Sequence, residues 1–258
     1  MKASYLMCLA FILVFPVGRV LPQEPLKESK PAPTTRQISG AFEKTITKTV
    51  ACRYLLFLPE GYGKKQRQWP MILFLHGSGE RGDDLEKVRV HGLPKIAASK
   101  KDFPFIIVSP QCPEGQWWPA KTEMLINLLD DIVSRYDVDT ERIYLTGLSM
   151  GGFGTWTLAC EYPSRFAAIA PICGGYEPFL AGKLKDTAVW AFHGAKDKII
   201  LVRRSEEMVD AINAKEGNAK LTIYPDAGHN CWTVAYNNNR LYDWFLEHRK
   251  KTIKPDNR

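Results

Sequence analysis

The chain has 258 residues, of which 45% are hydrophobic and 24% charged, and its formal net charge is +7. This length predicts one domain with short terminal extensions, and the composition is that of an ordinary soluble globular protein. The basic residues are dispersed, with their tightest clusters at Lys64–Arg67 and Arg249–Lys251, and no nucleic-acid-binding module is recognisable, so nucleic acid is excluded as a partner.

The N-terminus has the pattern of a secretory signal. Lys2 precedes an apolar stretch, Ala3–Val17, which has the length of a signal-peptide core and is too short to span a bilayer. We therefore predict a signal peptide over residues 1–20, a secreted or periplasmic protein, and no stable membrane insertion; a retained anchor is the alternative. Residues 21–38, rich in Pro, Lys, Glu and Thr, are predicted to be a disordered linker, and residues 39–258 a catalytic domain.

Beyond the leader the chain carries five cysteines. Export would permit disulfides, but an odd number leaves at least one thiol free or paired between chains. No CxxC spacing is present, so we expect no metal site. These five residues are Cys52, Cys112, Cys160, Cys173 and Cys231.

Strand and helix patterns alternate along the rest of the chain. Phe42–Val50 and Cys52–Leu58 predict an opening antiparallel pair of strands. Fully apolar runs then predict buried strands at Met71–Leu75 and Phe105–Val108. Further strands are predicted at Arg142–Thr146, Ala167–Ile172, Ala188–Phe192 and Lys220–Tyr224. Helical patterns cover Glu123–Tyr136, Gly152–Tyr162, Ser205–Ala214 and Asn238–His248.

This alternation predicts an α/β fold: a single domain with a mostly parallel central sheet and helices on both faces. Ligands of such sheets bind at the carboxyl ends of the strands. The stretch between Cys173 and Lys185 is short, so no large lid is expected.

A GxSxG motif, Gly147–Gly151, follows a predicted strand and opens a predicted helix. A sharp strand-to-helix turn brings the residues two before and two after the serine together, which favours glycine at both positions. The serine is held in a strained backbone conformation with its hydroxyl exposed. Ser149 is therefore the predicted nucleophile.

A serine hydroxyl needs a base, and the base needs an acid to orient it. His229 lies in a loop past the last predicted strand, and Asp197 follows the strand before it. The order Ser149, Asp197, His229 is that of the α/β-hydrolase triad. Asp226 is the rival acid, but its position three residues before His229 favours a turn-capping role.

The intermediate of acyl transfer needs backbone donors aimed at its oxygen. We expect one from Met150, which follows the nucleophile, and the second from Ser78 in the glycine-containing stretch after the Met71–Leu75 strand. Two other histidines, His76 and His193, directly precede a glycine at a strand end and are expected to be structural hydrogen-bonding residues.

These motifs together resemble the α/β-hydrolase superfamily. They are most similar to small secreted esterases of the phospholipase/carboxylesterase, polyhydroxybutyrate-depolymerase-like and feruloyl-esterase groups, often called predicted peptidases. The resemblance covers roughly Phe42–His248. The stretches that carry it are His76–Asp83, Ser109–Trp118, Gly147–Gly152, His193–Asp197 and His229–Trp232.

The resemblance implies a serine carboxylic-ester hydrolase without a cofactor, which works through an acyl-enzyme on short-chain, aryl or polymer-linked esters. It also suggests that Trp117, Trp118 and Trp232 line the substrate cleft, although core packing is an equal alternative for each. A serine peptidase similar to the prolyl oligopeptidase catalytic domain is the alternative function. A dienelactone-type hydrolase would normally carry cysteine in the elbow, and Ser149 argues against it.

Overall fold

The computed structural model describes residues 40–64, 67–100 and 103–250. The chain divides into two units, Met1–Thr47 and Lys48–Arg258, and the fold below belongs to the second. The predicted signal peptide and linker lie outside the described residues. In the described part of the first unit, residues 40–47, the chain has no regular secondary structure and its side chains are exposed.

Seven strands form one sheet in the order β1-β3-β2-β4-β5-β6-β7. β1 pairs with β3 in antiparallel fashion and every other pair is parallel. The strands are β1 Tyr54–Phe57, β2 Trp69–Leu75, β3 Ile106–Pro110, β4 Val138–Leu148, β5 Ala168–Ile172, β6 Ala188–Gly194 and β7 Ala219–Tyr224. The predicted mostly parallel sheet is confirmed.

Helices cover both faces of this sheet, as predicted. Alternate residues of β2 point to opposite faces: Met71 and Leu73 pack with α2, α3 and α4, whereas Ile72 and Phe74 pack with α1, α5 and α6. The helices are α1 Gly92–Ala97, α2 Thr122–Arg135, α3 Met150–Glu161, α4 Arg203–Asn213, α5 Trp232–Asn237 and α6 Asn239–Glu247. None of those in the described part of the chain is long and apolar enough to cross a bilayer.

The predicted opening pair of strands is wrong. Residues 42–50 form no strand, and β1 pairs instead with β3. The apolar residues Phe42 and Ile46 are 88% and 78% exposed, so no apolar face of this segment is buried as a strand of the sheet would require. The stretch between Cys173 and Lys185 contains a short 3-10 helix, Pro178–Leu184. Two of its residues, Ala181 and Leu184, are buried in the core, so this segment packs against the domain and is not a lid.

Candidate active site

The turn between β4 and α3 holds Ser149 in an unusual backbone conformation, with φ 53° and ψ −115°. Two glycines make this turn possible. A side chain at Gly151 would place its Cβ 1.9 Å from the Leu75 carbonyl oxygen, and one at Gly147 would lie 2.4 Å from the Gly151 oxygen. Because neither position tolerates a Cβ, the crowding inferred from the sequence motif is present.

Three strand ends bring Ser149, Asp197 and His229 into one line of hydrogen bonds. His229 follows β7, and its Nε2 lies 2.9 Å from Ser149 Oγ. Its Nδ1 lies 2.7 Å from Oδ2 of Asp197, which follows β6. The Asp197 side chain is fully buried, whereas 21% of the His229 side chain is exposed. A ligand can therefore approach the histidine but not the carboxylate.

The surroundings of Asp197 fix its charge. Burial acts to raise its pKa, but the hydrogen bond from His229 and those from the backbone N–H groups of Ile200 and Ile199 outweigh it and hold the pKa below the ordinary value. An ionised carboxylate only accepts hydrogen bonds, so Nδ1 of His229 carries the proton. Nε2 is then left as an acceptor facing the Ser149 hydroxyl, as a general base requires.

The rival acid Asp226 lies elsewhere. Its carboxylate pairs with Lys196 Nζ at 2.8 Å, and its side chain is 92% exposed. It therefore belongs to a surface ion pair, and the carboxylate that meets His229 is the one expected from chain order.

A second imidazole, His193, also contacts Asp197, with Nε2 3.3 Å from Oδ2. Its Nδ1 lies 2.8 Å from Ser205 Oγ, and its Nε2 lies 2.8 Å from the Ile200 carbonyl oxygen. The expected structural role of His193 is confirmed, but sequence reasoning missed its contact with the acid. The spacing of four residues in His193–Asp197 was the available signal.

The loop after β2 lies against the nucleophile turn. A Cβ on Gly77 would come 2.8 Å from the Leu148 side chain, so the backbone at Ser78 is close to the start of α3. On the solvent-exposed side of this loop, Arg81 Nε donates to the Ser78 carbonyl oxygen at 2.9 Å. This hydrogen bond restrains the backbone that follows Ser78. Met150 is the first residue of α3, where backbone N–H groups lack helical partners.

His76 anchors this loop from inside the protein. Its Nδ1 donates to the Gly77 carbonyl oxygen at 2.6 Å, and its Nε2 accepts from the Cys112 N–H at 3.0 Å. Burial lowers the pKa of His76 to about 4, although the bond to Gly77 acts to raise it. The ring is therefore neutral at pH 7, and its predicted structural role is confirmed.

The three tryptophans expected at the cleft separate into different environments. Trp118 is completely buried, and its Nε1 donates to the His76 carbonyl oxygen at 2.9 Å, so its expected contact with substrate is wrong. Its ring fills the space beside Gly154 in α3. Trp117 is 51% exposed. The Trp232 ring packs edge-on against the His229 ring, with their centroids 5.4 Å apart.

One further side chain at the site was not singled out from the sequence. Cys173, directly after β5, has its Sγ 3.3 Å from the backbone nitrogen of Ser149. Among the described residues, Cys173, Asp197 and His229 are the one group of at least three possible metal ligands close enough to share an ion, with all ligand atoms within 4.8 Å. Asp197 and His229 are hydrogen-bonded to each other, so we interpret the group as an acid–base pair with a neighbouring thiol.

Comparisons with known proteins agree with this geometry. The model of the dienelactone hydrolase family matches residues 110–240, half of the chain. Feruloyl esterase D of Neurospora crassa is 26% identical over 71% of this chain and 67% of its own length. Poly(3-hydroxyalkanoate) depolymerase C of Paucimonas lemoignei is 44% identical over 41% of this chain and 28% of its own.

A solved thermostable esterase is 30% identical, with a TM-score of 0.67 over 76% of this chain and 59% of that structure. The chain spans between about a fifth and two thirds of the curated relatives that it matches first. The family match corrects one sequence argument, because Ser149 does not exclude the dienelactone hydrolase family. Fold and site positions define such a family, and the same base can activate a hydroxyl or a thiol.

Proposed function

The chain belongs to the dienelactone hydrolase family of α/β-hydrolases, and on that premise we propose that it is a serine carboxylic-ester hydrolase that works through an acyl-enzyme. The observation that carries this proposal is the unbroken line from Ser149 Oγ through His229 to the buried Asp197 carboxylate, with links of 2.9 and 2.7 Å. This line has the geometry of an activated nucleophile.

In the proposed reaction Ser149 Oγ attacks the ester carbonyl as His229 Nε2 takes the hydroxyl proton. The imidazolium that forms is stabilised by the ionised Asp197 and returns the proton to the leaving alcohol. Water, deprotonated in turn by His229, then attacks the acyl-enzyme and releases the acid. Each step uses the same three side chains, so no further acid or base is required.

We propose that the backbone N–H groups of Met150 and Ser78 stabilise the oxyanion. Support comes from the position of Met150 at the first turn of α3 and from the contact of Gly77 with Leu148. Donors at these points would face the carbonyl oxygen of an ester attacked by Ser149. Loss of one such donor typically removes about 3 kcal/mol of transition-state stabilisation.

For the substrate we propose short-chain, aryl or polymer-linked esters. The relatives named feruloyl esterase D and poly(3-hydroxyalkanoate) depolymerase C support this class. So do the half-exposed Trp117 and the Trp232 ring beside His229, since aromatic walls suit an aryl group or a sugar face. The packed segment Pro178–Leu184 leaves the site without a helical lid in the described part of the chain.

We further propose that the protein is secreted or periplasmic and that residues 1–20 act as a signal peptide. The support is the charge of Lys2 followed by the apolar stretch Ala3–Val17. An exported location would give the enzyme access to polymer-linked esters outside the cell.

Hydrolysis of a p-nitrophenyl ester series from acetate to palmitate tests the central proposal. We expect turnover of the short chains by the wild type and a loss of at least about 10⁴-fold in kcat for Ser149→Ala. Ser164→Ala, which alters an exposed serine outside the site, should retain wild-type rates. A wild type that hydrolyses none of these esters but cleaves aminoacyl amides would instead support the peptidase function. A Ser149→Ala variant with wild-type activity would refute the role of Ser149 as the nucleophile.

A further inference from the structure

Exposed apolar side chains are unevenly distributed over the second unit. In its described part eight large apolar side chains are exposed, and six of them lie in segments that follow the carboxyl ends of parallel strands. The triad lies at this same edge of the sheet. We call the six side chains the apolar rim: Val90, Trp117, Phe179, Ile199, Leu201 and Val234.

The opposite edge of the sheet carries far less exposed apolar surface. Of the other two exposed side chains, Ile223 lies within the edge strand β7, and Leu58 directly follows β1. Because β1 runs antiparallel to β3, Leu58 lies at the edge away from the triad. Single apolar side chains are common on soluble proteins, whereas a concentration of them at one edge marks an interaction surface.

The strand order places the rim on both sides of the nucleophile. Ser149 follows β4, which lies in the middle of the sheet. Two rim residues follow β2 and β3 on one side of β4, and the other four follow β5, β6 and β7 on the other side. A surface that rests on the rim therefore lies across the opening above Ser149.

Printed contacts connect two rim residues directly to the site. The guanidinium carbon of Arg81 lies 5.8 Å from the centroid of the Trp117 ring, and Arg81 Nε donates to the Ser78 carbonyl oxygen. On the other side of the site, the Ile199 N–H donates to Asp197 Oδ1 at 2.9 Å. Each of these rim residues is therefore held beside a group that takes part in the proposed reaction.

Two further rim residues belong to segments that meet beside the catalytic base. Val90 directly precedes His91, and the centroids of the His91 and Trp232 rings are 5.7 Å apart. Trp232 begins α5, which also carries Val234. Since the Trp232 ring packs against the His229 ring, this part of the rim borders the base.

The last two rim residues lie in segments that pack against each other. A Cβ on Gly175 would come 2.7 Å from Arg204 Cβ, so the segment after β5 contacts the first turn of α4. Phe179 follows in that segment, and Leu201 lies just before α4. Their side chains are 81% and 48% exposed, which leaves both available to a docked surface.

We propose that the apolar rim docks the enzyme on the surface of a water-insoluble aliphatic polyester, so that Ser149 meets the ester groups of chains at that surface. This inference rests on the proposed function, because it takes a polymer-linked ester as the substrate. The hydrocarbon between the ester groups of such a polymer gains free energy when it is buried against apolar side chains.

Two other kinds of surface fit the rim less well. A polysaccharide presents hydroxyl groups, which polar side chains would match better than a rim of valine, leucine, isoleucine and aromatic residues. A phospholipid bilayer places its ester groups below charged head groups, and proteins reach that depth with an amphipathic helix lying in the interface. A solid polyester presents ester groups and hydrocarbon together at its surface.

Adsorption to poly(3-hydroxybutyrate) particles tests the docking surface. The full chain carries Ser149→Ala, so that the particles are not hydrolysed, and unbound protein is measured after centrifugation over a range of particle amounts. Replacing both Phe179 and Ile199 with serine should weaken adsorption by about tenfold or more, since two apolar side chains are lost from the contact. Unchanged adsorption would overturn the proposal.

The pair Phe42→Ser and Ile46→Ser is the matched control. These two side chains are of the same types and are 88% and 78% exposed, against 81% and 74% for the rim pair, but they follow no strand of the sheet. The control should adsorb like its parent. An equal loss would assign adsorption to general surface hydrophobicity and refute the proposal.

The midpoint of thermal unfolding should be the same in the parent and in both pairs, because the replaced side chains are exposed. If the rim pair unfolds earlier, Leu201→Ser combined with Val234→Ser provides the same test at other rim positions. All the proteins share residues 1–39, so a difference in adsorption belongs to the substituted side chains.

Two further surfaces test the choice of a polyester. Cellulose particles and phosphatidylcholine vesicles are offered to the same Ser149→Ala protein, and we expect weaker adsorption to both. Adsorption to vesicles as tight as to the polyester would assign the rim to lipid and overturn the proposal, as tight adsorption to cellulose would. Adsorption requires no turnover, so its failure leaves the proposed esterase standing, whereas inactivity on every soluble ester would refute the esterase alone.

Discussion

Two histidines contact the same carboxylate oxygen of Asp197, and their surroundings differ sharply. His193 is completely buried, and both of its ring nitrogens have partners in the protein, Ser205 and the Ile200 carbonyl group. The His229 side chain is 21% exposed, and its second nitrogen faces the hydroxyl of Ser149. One ring is enclosed in the core and the other lies between the acid and the cleft.

The difference shows that contact with an acid does not make an imidazole catalytic. A general base must have one nitrogen fixed by the acid and the other free to exchange a proton with a reacting group. His229 meets both conditions. In His193 the second nitrogen, Nδ1, is hydrogen-bonded to the buried Ser205 hydroxyl. This ring can therefore only support the position of Asp197.

The largest expected effect lies on the His229 side. His229→Ala should lower kcat/KM for p-nitrophenyl acetate by about 10⁴-fold or more, because the Ser149 hydroxyl loses its base. The midpoint of thermal unfolding should change little, since the side chain is partly exposed and its ring contact is with the Trp232 side chain. Steady-state kinetics and calorimetry on the same preparation measure both, and a loss of stability that matches the loss of rate would contradict this division.

His193→Ala should show the reverse pattern. Removing the ring leaves the Ile200 carbonyl group without its partner and a cavity in the core, and it leaves the buried Ser205 hydroxyl with the Gly174 carbonyl oxygen alone, so we expect a loss of about 2–4 kcal/mol in the free energy of unfolding. Urea denaturation measures it. The rate per folded molecule should fall far less than in His229→Ala, and His193→Asn, which keeps polar atoms in the site, should recover part of the stability. A variant as stable as the wild type but as inactive as His229→Ala would make His193 catalytic.

A smaller effect should follow the protonation of the buried rings. The pKa of His76 is about 4 in the folded chain, below its ordinary value near 6.5. The unfolded chain therefore binds more protons between these pH values, and stability falls as the pH is lowered through this window. His193 shifts in the same direction because burial lowers its pKa.

The loss attributable to His76 should approach about 3 kcal/mol by pH 4. Urea denaturation from pH 7.5 to pH 4 measures it, with His76→Gln as the matched variant. Because glutamine does not titrate, this variant should show a shallower dependence on pH. An unchanged slope would mean that other groups dominate the acid destabilisation.

The sequence was informative where a feature is short-range in the chain. Strands β2 and β3 contain fully apolar runs, and the turn around Ser149 is encoded in two glycines, so both were predictable. The helices α1 and α5 were missed because six residues cover less than two turns and leave no measurable period.

What the sequence did not reveal depends on tertiary packing. Trp117 and Trp118 are adjacent and chemically identical, yet it is Trp118 whose side chain packs against Gly154 of α3. No local sequence pattern distinguishes the two residues. The contact of Cys173 with Ser149 requires the pairing of β4 with β5. Residues 42–50 include Phe42, Ile46 and several threonines, which favour strand, but a strand forms only where a neighbouring edge and a core face are available.

The backbone conformation of Ser149 has a consequence for protein engineering. Its φ of 53° with ψ of −115° costs on the order of 1–3 kcal/mol for a residue with a Cβ, whereas glycine adopts such values freely. Ser149→Gly would thus relieve strain while removing the nucleophile. A directed-evolution screen that scored only survival at high temperature would favour inactive proteins at this position, so heat resistance has to be selected together with turnover.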